Sequence, residues 1–314
     1  ISINQTFGKK CNINISMNDK PKVALMFLTK NKHAQPKIWD KFFKGNEDKF
    51  DVFTHTSERN SKTSPFLKKN IVKNVRTEWG HLINAYHILL ETAYKESKNA
   101  IRFVYLSDSC VPIMSGEDAY IQLIKSPGKT FVDMPRPDED SKRYFKKSNL
   151  DGKPNNIRFE KVGILQKHFF KHSGWFALCK ADAKILLSNR SAFLAMNHIR
   201  GGDEHILSIL KRNVKNSLLN RPITYVDWNL KEQTKWKKDY EKLWKAFDSS
   251  EKDEDKLRLK TKITKHIKDG RRFWHPKTFF EVDKKDIEKF KKSGCVFARK
   301  IDPSCDVSLI MKNL

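Results

Sequence analysis

Three short apolar runs constrain this chain more than any other feature. Val23-Ala24-Leu25-Met26-Phe27-Leu28 stops at Thr29-Lys30-Asn31. Phe50-Asp51-Val52-Phe53-Thr54-His55-Thr56 forms a second run, and Ala100-Ile101-Arg102-Phe103-Val104-Tyr105-Leu106 stops at Ser107-Asp108-Ser109-Cys110. Runs of this length, rich in β-branched and aromatic residues and bounded by polar stops, read as strands covered on both faces. Between them, residues 36–45 carry Trp39, Phe42 and Phe43 on one helical face. Residues 81–95 place Leu82, Ala85, Leu89, Leu90 and Ala93 at helical spacing. A shorter strand is predicted over 71–75. Strand, helix, strand, helix, strand predicts a parallel α/β sheet. Ligands of such sheets bind beyond the carboxyl ends of the strands, which directs attention to residues 29–32, 55–57 and 107–112.

The second half of the chain is less regular. Gly174-Trp175-Phe176-Ala177-Leu178 reads as a strand, residues 182–188 and 203–212 as helices, and residues 294–300 as a last strand ending in two cations. Residues 230–270 are mostly Lys, Glu and Asp with interleaved aromatics, and read as an inserted Lys-rich helical segment. Trp236, Tyr240, Leu243, Trp244 and Phe247 fall at helical spacing there, surrounded by lysines. The aromatic face of this basic amphipathic helix is expected either to pack on the catalytic domain or to meet an anionic membrane surface. Residues 1–20 are polar and read as a tail, leaving one domain over 21–314.

Composition narrows the partners. There are 63 Lys and Arg against 37 Asp and Glu, a formal charge of +26, so anionic partners are favoured. The lysines are spread along the whole chain, so a generally solvated Lys-rich surface accounts for the charge equally well. No run approaches eighteen apolar residues, so no membrane span is predicted in the segment. It begins at Ile1, and any anchor is expected outside it. None of the five cysteines forms CxxC, and their odd number leaves at least one thiol unpaired in a monomer. Sequons stand at Asn4, Asn14 and Asn189.

Several residues are candidates for chemistry. Asp203-Glu204-His205 follows Gly201-Gly202, at a predicted loop-to-helix start where acidic groups suit the helix dipole. Helix capping is the simpler account, and a carboxylate here is functional only if the fold places it in a cleft. Arg299 and Lys300 end a predicted strand, and Lys277 lies upstream. Cations at strand ends can grip a diphosphate, although Lys is common everywhere in this chain. No Gly-x-Gly-x-x-Gly and no Walker loop is present. His168 and His172 are four apart without an acidic third ligand, and read as surface or cleft histidines. Asp138-Glu139-Asp140 contains an Asp-x-Asp arrangement able to hold Mn²⁺ or Mg²⁺, but it sits in a Pro-rich loop where a solvated acidic segment is the simpler reading.

Taken in order, these pieces resemble the Core-2/I-branching glycosyltransferase family, with its plant-type branch and peptide xylosyltransferase relatives. The matching segments begin with Val23-Ala24-Leu25-Met26-Phe27-Leu28-Thr29-Lys30, Phe53-Thr54-His55-Thr56 and Val75-Arg76-Thr77-Glu78-Trp79-Gly80. Phe103-Val104-Tyr105-Leu106-Ser107-Asp108-Ser109-Cys110-Val111-Pro112-Ile113 and Lys171-His172-Ser173-Gly174-Trp175-Phe176-Ala177-Leu178 follow. Asp203-Glu204-His205, Thr224-Tyr225-Val226-Asp227-Trp228, His275-Pro276-Lys277-Thr278 and Phe297-Ala298-Arg299-Lys300 complete the series. The segment 230–270 is longer than the family pattern, and His172-Ser173-Gly174 replaces its more usual Gly-Ser-Gln.

The resemblance implies a GT-A-like single α/β domain with a mixed, mostly parallel central sheet flanked by helices. It implies an inverting, metal-independent transferase moving a sugar from a UDP-sugar to an acceptor hydroxyl. UDP-GlcNAc is the first expectation, with UDP-xylose or UDP-glucose next. By motif position Glu204 is the base, and Lys300, Arg299 and more loosely Lys277 are the diphosphate cations. Thr29, His55 and Asp108 lie where the nucleotide is expected, while Trp175, Trp79 and Asp203 are expected at the acceptor. The expected partner is a glycan or glycoprotein acceptor, in a secretory lumen, or in the cytoplasm if the full chain has no anchor. A basic nucleic-acid-binding protein would explain the charge but not the ordered motifs. A non-catalytic glycan-binding relative is the other alternative, and retention of Glu204 and Lys300 weighs against it.

Overall fold

The computed structural model describes residues 20–58, 67, 69–134, 145, 159–213, 217–270 and 275–314. Its centre is a six-stranded sheet in the order β2-β1-β3-β6-β5-β7. The first three members are β1 (Lys22–Thr29), β2 (Phe50–Thr56) and β3 (Ala100–Ser107), all mutually parallel with β1 in the middle. β6 (Ala177–Cys179) runs antiparallel to both β3 and β5 (Thr130–Val132), and β7 (Leu218–Asn220) closes the edge parallel to β5. The sheet is therefore mixed and mostly parallel.

The apolar runs are continuous because alternate side chains face opposite buried layers. Ala24, Met26 and Leu28 of β1, with Phe103 and Tyr105 of β3, enter one core. This core is covered by α2 (Ile83–Glu96) and, beyond β6, by α4 (Lys180–Ser188), α5 (Arg190–Ala195) and α6 (Ser208–Asn213). Val23, Leu25 and Phe27, with Val104 and Leu106, enter the other. That side is covered by α1 (Pro36–Phe43), α3 (Gly116–Ile124), α9 (Lys284–Ser293) and α10 (Ser308–Met311). Trp39 anchors it: its ring meets Phe27 edge-on at 4.9 Å and its indole N–H donates to the Cys110 carbonyl.

A three-stranded sheet, β4 (Val111–Pro112), β10 (Phe297–Arg299) and β8 (Thr224–Val226), stands beside the carboxyl end of β3. It is followed by the pair β11 (Ile301–Asp306) and β9 (Phe279–Glu281). The Ile301 amide donates to the Ser109 carbonyl, which brings the end of β10 against the loop that follows β3.

Four local expectations change. Residues 71–75 form no strand, only a bridge from Ile71 to Thr54, while the Asn74 side chain binds the Thr56 carbonyl. Residues 203–212 are not one helix: a 3-10 turn over Gly202–Glu204 precedes α6. His172 is neither a surface nor a cleft residue but is buried, because both ring nitrogens find backbone partners. Residues 230–270 form two helices, α7 (Leu230–Asp248) and α8 (Asp253–Gly270), and the aromatic face of α7 packs chiefly on α8 rather than on the central sheet. Trp236 stacks on His266 at 5.2 Å and donates its indole N–H to the His266 carbonyl.

Candidate functional site

The carboxyl ends of β1, β2 and β3 form one edge because the strands are parallel and in register there. Thr29 and His55 are both buried at that edge with their polar atoms already engaged. The Thr29 hydroxyl donates to the His55 carbonyl at 3.0 Å, and His55 Nε2 lies 3.1 Å from the Val75 carbonyl. Burial holds the His55 pKa below its ordinary value, with the Val75 carbonyl opposing. These two side chains tie the strand ends and the 71–75 segment together. Asp108 sits one residue beyond β3, receiving the Lys30 amide on its carboxylate at 3.3 Å. Burial raises its pKa, while the Lys30 and Ser109 amides, Arg299 and Lys300 work against the rise.

Antiparallel β6 brings the residues preceding it to the same edge, since the Tyr105 amide donates to the Phe176 carbonyl. Trp175 therefore lies near the end of β3, and the Arg299 guanidinium stands over its ring at 4.5 Å. The structure thus brings Trp175, expected at the acceptor, together with Arg299, expected at the diphosphate. Burial depresses the Arg299 pKa, and Cys110, Tyr86, Asp108 and Asp203 support its charged form. Its Nε is buried without a hydrogen-bond partner among the described residues. Lys300 is half-buried, its pKa lowered first by burial and then by Arg299, with Asp108 opposing.

Gly201 is in the left-handed region at φ 77° and Gly202 follows at a close approach, where an added Cβ would lie 2.0 Å from the Met196 carbonyl oxygen. Only glycine fits this pair without strain, and it turns the chain so that Asp203 points inward and Glu204 outward. Asp203 is 9% exposed, and a Cβ on Gly174 would lie 2.8 Å from its Oδ2 and 3.0 Å from the Tyr86 hydroxyl. Burial, then Glu204, pushes the Asp203 pKa up to about 7. Asp203, expected at the acceptor, is thus packed inward beneath Gly174, with little of its surface open. The Glu204 side chain keeps 39% of its surface exposed, with Lys171 Nζ 3.6 Å from its Oε2. Burial raises its pKa, and Lys171 and Arg299 restrain the rise. A carboxylate of raised basicity, open to solvent and held by a cation, is suited to accept a proton.

His172 holds this turn to the strand. Its Nε2 accepts the Leu207 amide at 3.1 Å, its Nδ1 donates to the Ser173 carbonyl at 2.8 Å, and burial holds it neutral with a pKa near 3. Trp79 stands on the rim, 69% exposed. Lys277 reaches the same region through its backbone, since its amide donates to the Asp227 carbonyl. Its ammonium, however, lies 3.9 Å from Asp286 and over the Phe279 ring. Sequence reasoning missed Lys171 and Tyr86. Lys171 lies inside a quoted motif, but one lysine among so many carries no signal, and nothing in a helical Tyr foretells its stack on Tyr105 at 4.3 Å.

Among the described residues no three His, Cys, Asp or Glu side chains converge as a metal site. Asp138 and Asp140 lie outside the described residues. Cys110, Cys179, Cys295 and Cys305 are buried free thiols.

The Core-2/I-Branching enzyme family matches residues 23–258, and the chain belongs to that family. It is 28% identical over 177 residues to "Glycosyltransferase BC10" of Oryza sativa subsp. japonica, a match covering 54% of this chain and 41% of the rice protein. The chain thus matches less than half the length of that relative. Among solved structures it is similar to "WbbM bifunctional glycosytransferase apo structure", with a TM-score of 0.33 and 7% identity, over 69% of this chain and 42% of the other.

Proposed function

We propose that the protein is an inverting transferase that moves a sugar from a UDP-sugar to a hydroxyl of a glycan or glycoprotein, without a bound metal. The observation that carries this reading is the grouping of one solvent-accessible carboxylate, Glu204, with the cations Arg299 and Lys300 at the carboxyl edge of the sheet. Glu204 takes the proton of the acceptor hydroxyl as its oxygen attacks the anomeric carbon. The bond from that carbon to the diphosphate breaks, and the electron pair leaves with the diphosphate. Arg299 and Lys300 stabilise the charge that develops there. A single displacement inverts the anomeric centre and gives a β-linkage from an α-linked donor.

UDP-GlcNAc is the first donor to test, followed by UDP-xylose and UDP-glucose. A secretory lumen is the proposed compartment; no helix among the described residues is long and apolar enough to cross a membrane. The test is transfer from each donor to a glycan mixture with and without EDTA, with the product anomer read by NMR. Turnover in EDTA with a β-linked product is expected. Loss in EDTA restored by Mn²⁺ would overturn the metal-free mechanism and direct attention to Asp138 and Asp140. An α-linked product would overturn the single displacement.

A further inference from the structure

The rim beside Glu204 holds an aromatic and a cation that the transfer step does not use. Trp79 is 69% exposed, and the Arg200 guanidinium lies 4.2 Å from the centre of its ring. His275, also exposed, meets the ring edge-on at 6.0 Å. The platform is built rather than incidental. Gly80, at φ 83°, accepts the Gly201 amide at 2.6 Å, and the Arg200 stem fills the space where a Cβ on Gly80 would stand. Gly201 in turn begins the turn that carries the base: its carbonyl accepts the Glu204 amide at 2.9 Å, and Glu204 Oε2 lies 4.0 Å from where a Gly201 Cβ would be. A group seated on Trp79 is therefore next to the carboxylate that is to take the acceptor's proton.

Charge decides what that group is. The neighbouring cations are committed, Lys171 to Glu204 and Arg76 to Glu78. Arg200 makes no ion pair among the described residues, and it is exposed. An indole presents an apolar face to the C–H face of a pyranose, and a guanidinium fork matches a carboxylate or sulfate. We propose that Trp79 and Arg200 form an acceptor subsite for an anionic saccharide, one bearing a uronate carboxylate or a sulfate beside the sugar that receives the transfer. This rests on the transferase reading above and specifies its acceptor class. The overall charge of +26 favours encounter with such an acceptor.

Direct binding tests it without turnover. A glucuronate-terminated disaccharide, its 6-sulfated glucose counterpart, the neutral glucose counterpart and an Asp-rich peptide are titrated at low and moderate salt against wild type, Arg200→Gln and Trp79→Ala. Wild type is expected to bind one or both anionic disaccharides about two- to five-fold more tightly than the neutral one, and more so at low salt. Arg200→Gln abolishes that preference, and Trp79→Ala weakens all the disaccharides while keeping it. Equal affinity of wild type for charged and neutral disaccharides overturns the proposal, as does a preference that survives in Arg200→Gln. Tighter binding of the peptide than of either charged disaccharide overturns the saccharide class. The first comparison needs no variant, so a folding defect cannot decide it. UDP affinity measured on the same preparations reports separately on the donor reading: UDP binding without a charge preference sinks the subsite alone.

Discussion

Replacing Lys171 with Gln probes the base through its partner. The Lys171 ammonium is 3.6 Å from Glu204 Oε2, with side-chain exposures of 36% and 39%. At that separation Coulomb's law gives about 1.2 kcal/mol in bulk water and about 4.6 kcal/mol at an effective dielectric of 20. Exposure of both partners places the pair near the watery limit, at about 0.5–1 kcal/mol, a two- to five-fold change in proton binding. The sign follows from which form the cation favours. Lys171 stabilises the charged carboxylate, so its loss makes Glu204 bind a proton more readily. A base must be unprotonated, so the acid limb of kcat/KM moves to higher pH. At a fixed pH on that limb, Lys171→Gln should run about two- to five-fold slower than wild type, with Lys171→Arg close to wild type. Added salt should move the wild-type limb toward that of the variant. Superimposable acid limbs, or a limb moved to lower pH, would refute the assignment of the titrating base to Glu204.

Three further outcomes follow from the geometry. Lys300→Ala should weaken UDP binding by about ten- to a hundred-fold, since one charge-assisted contact is lost; calorimetry reads it directly. Gly202→Ala drives a Cβ into the Met196 carbonyl at 2.0 Å and should cost both stability and turnover, seen as a lower melting temperature and a reduced kcat together. Gly270→Ala places a Cβ 2.2 Å from the Trp236 ring. It should loosen the α7–α8 pair by about 1–3 kcal/mol, read by hydrogen exchange at residues 236–266, with UDP affinity unchanged.

The sheet was legible because its strands are buried on both faces, so β1 and β3 are nearly unbroken apolar runs. The short strands β5, β7, β8 and β9 carry three residues each, too few for a period to register, and the apolar positions of α9 are few among its lysines and acids. Arg102 shows another limit. It lies in the middle of β3, yet is fully buried because its guanidinium donates to carbonyls at and beyond the end of α3, Leu123 among them. Motif order singles out Glu204 and Arg299, but the direction in which their side chains point is invisible in the sequence. Nothing in Gly201-Gly202-Asp203-Glu204 as a string says that the first carboxylate turns under Gly174 while the second faces solvent. That follows from a left-handed glycine and a close backbone approach. Trp175 and Trp79 are likewise equal as letters. One lies beneath the Arg299 guanidinium and the other stands exposed with Arg200 over its ring.

Glu204→Gln tests the central claim most directly, because it keeps the side chain's shape while removing its capacity to take a proton. With the preferred UDP-sugar and acceptor at saturation, kcat should fall by about a hundred- to ten-thousand-fold, the span of general-base loss, while the dissociation constant for UDP stays within about two-fold of wild type. Near-normal turnover in that variant would contradict the account, and so would a loss of turnover explained entirely by a loss of UDP binding.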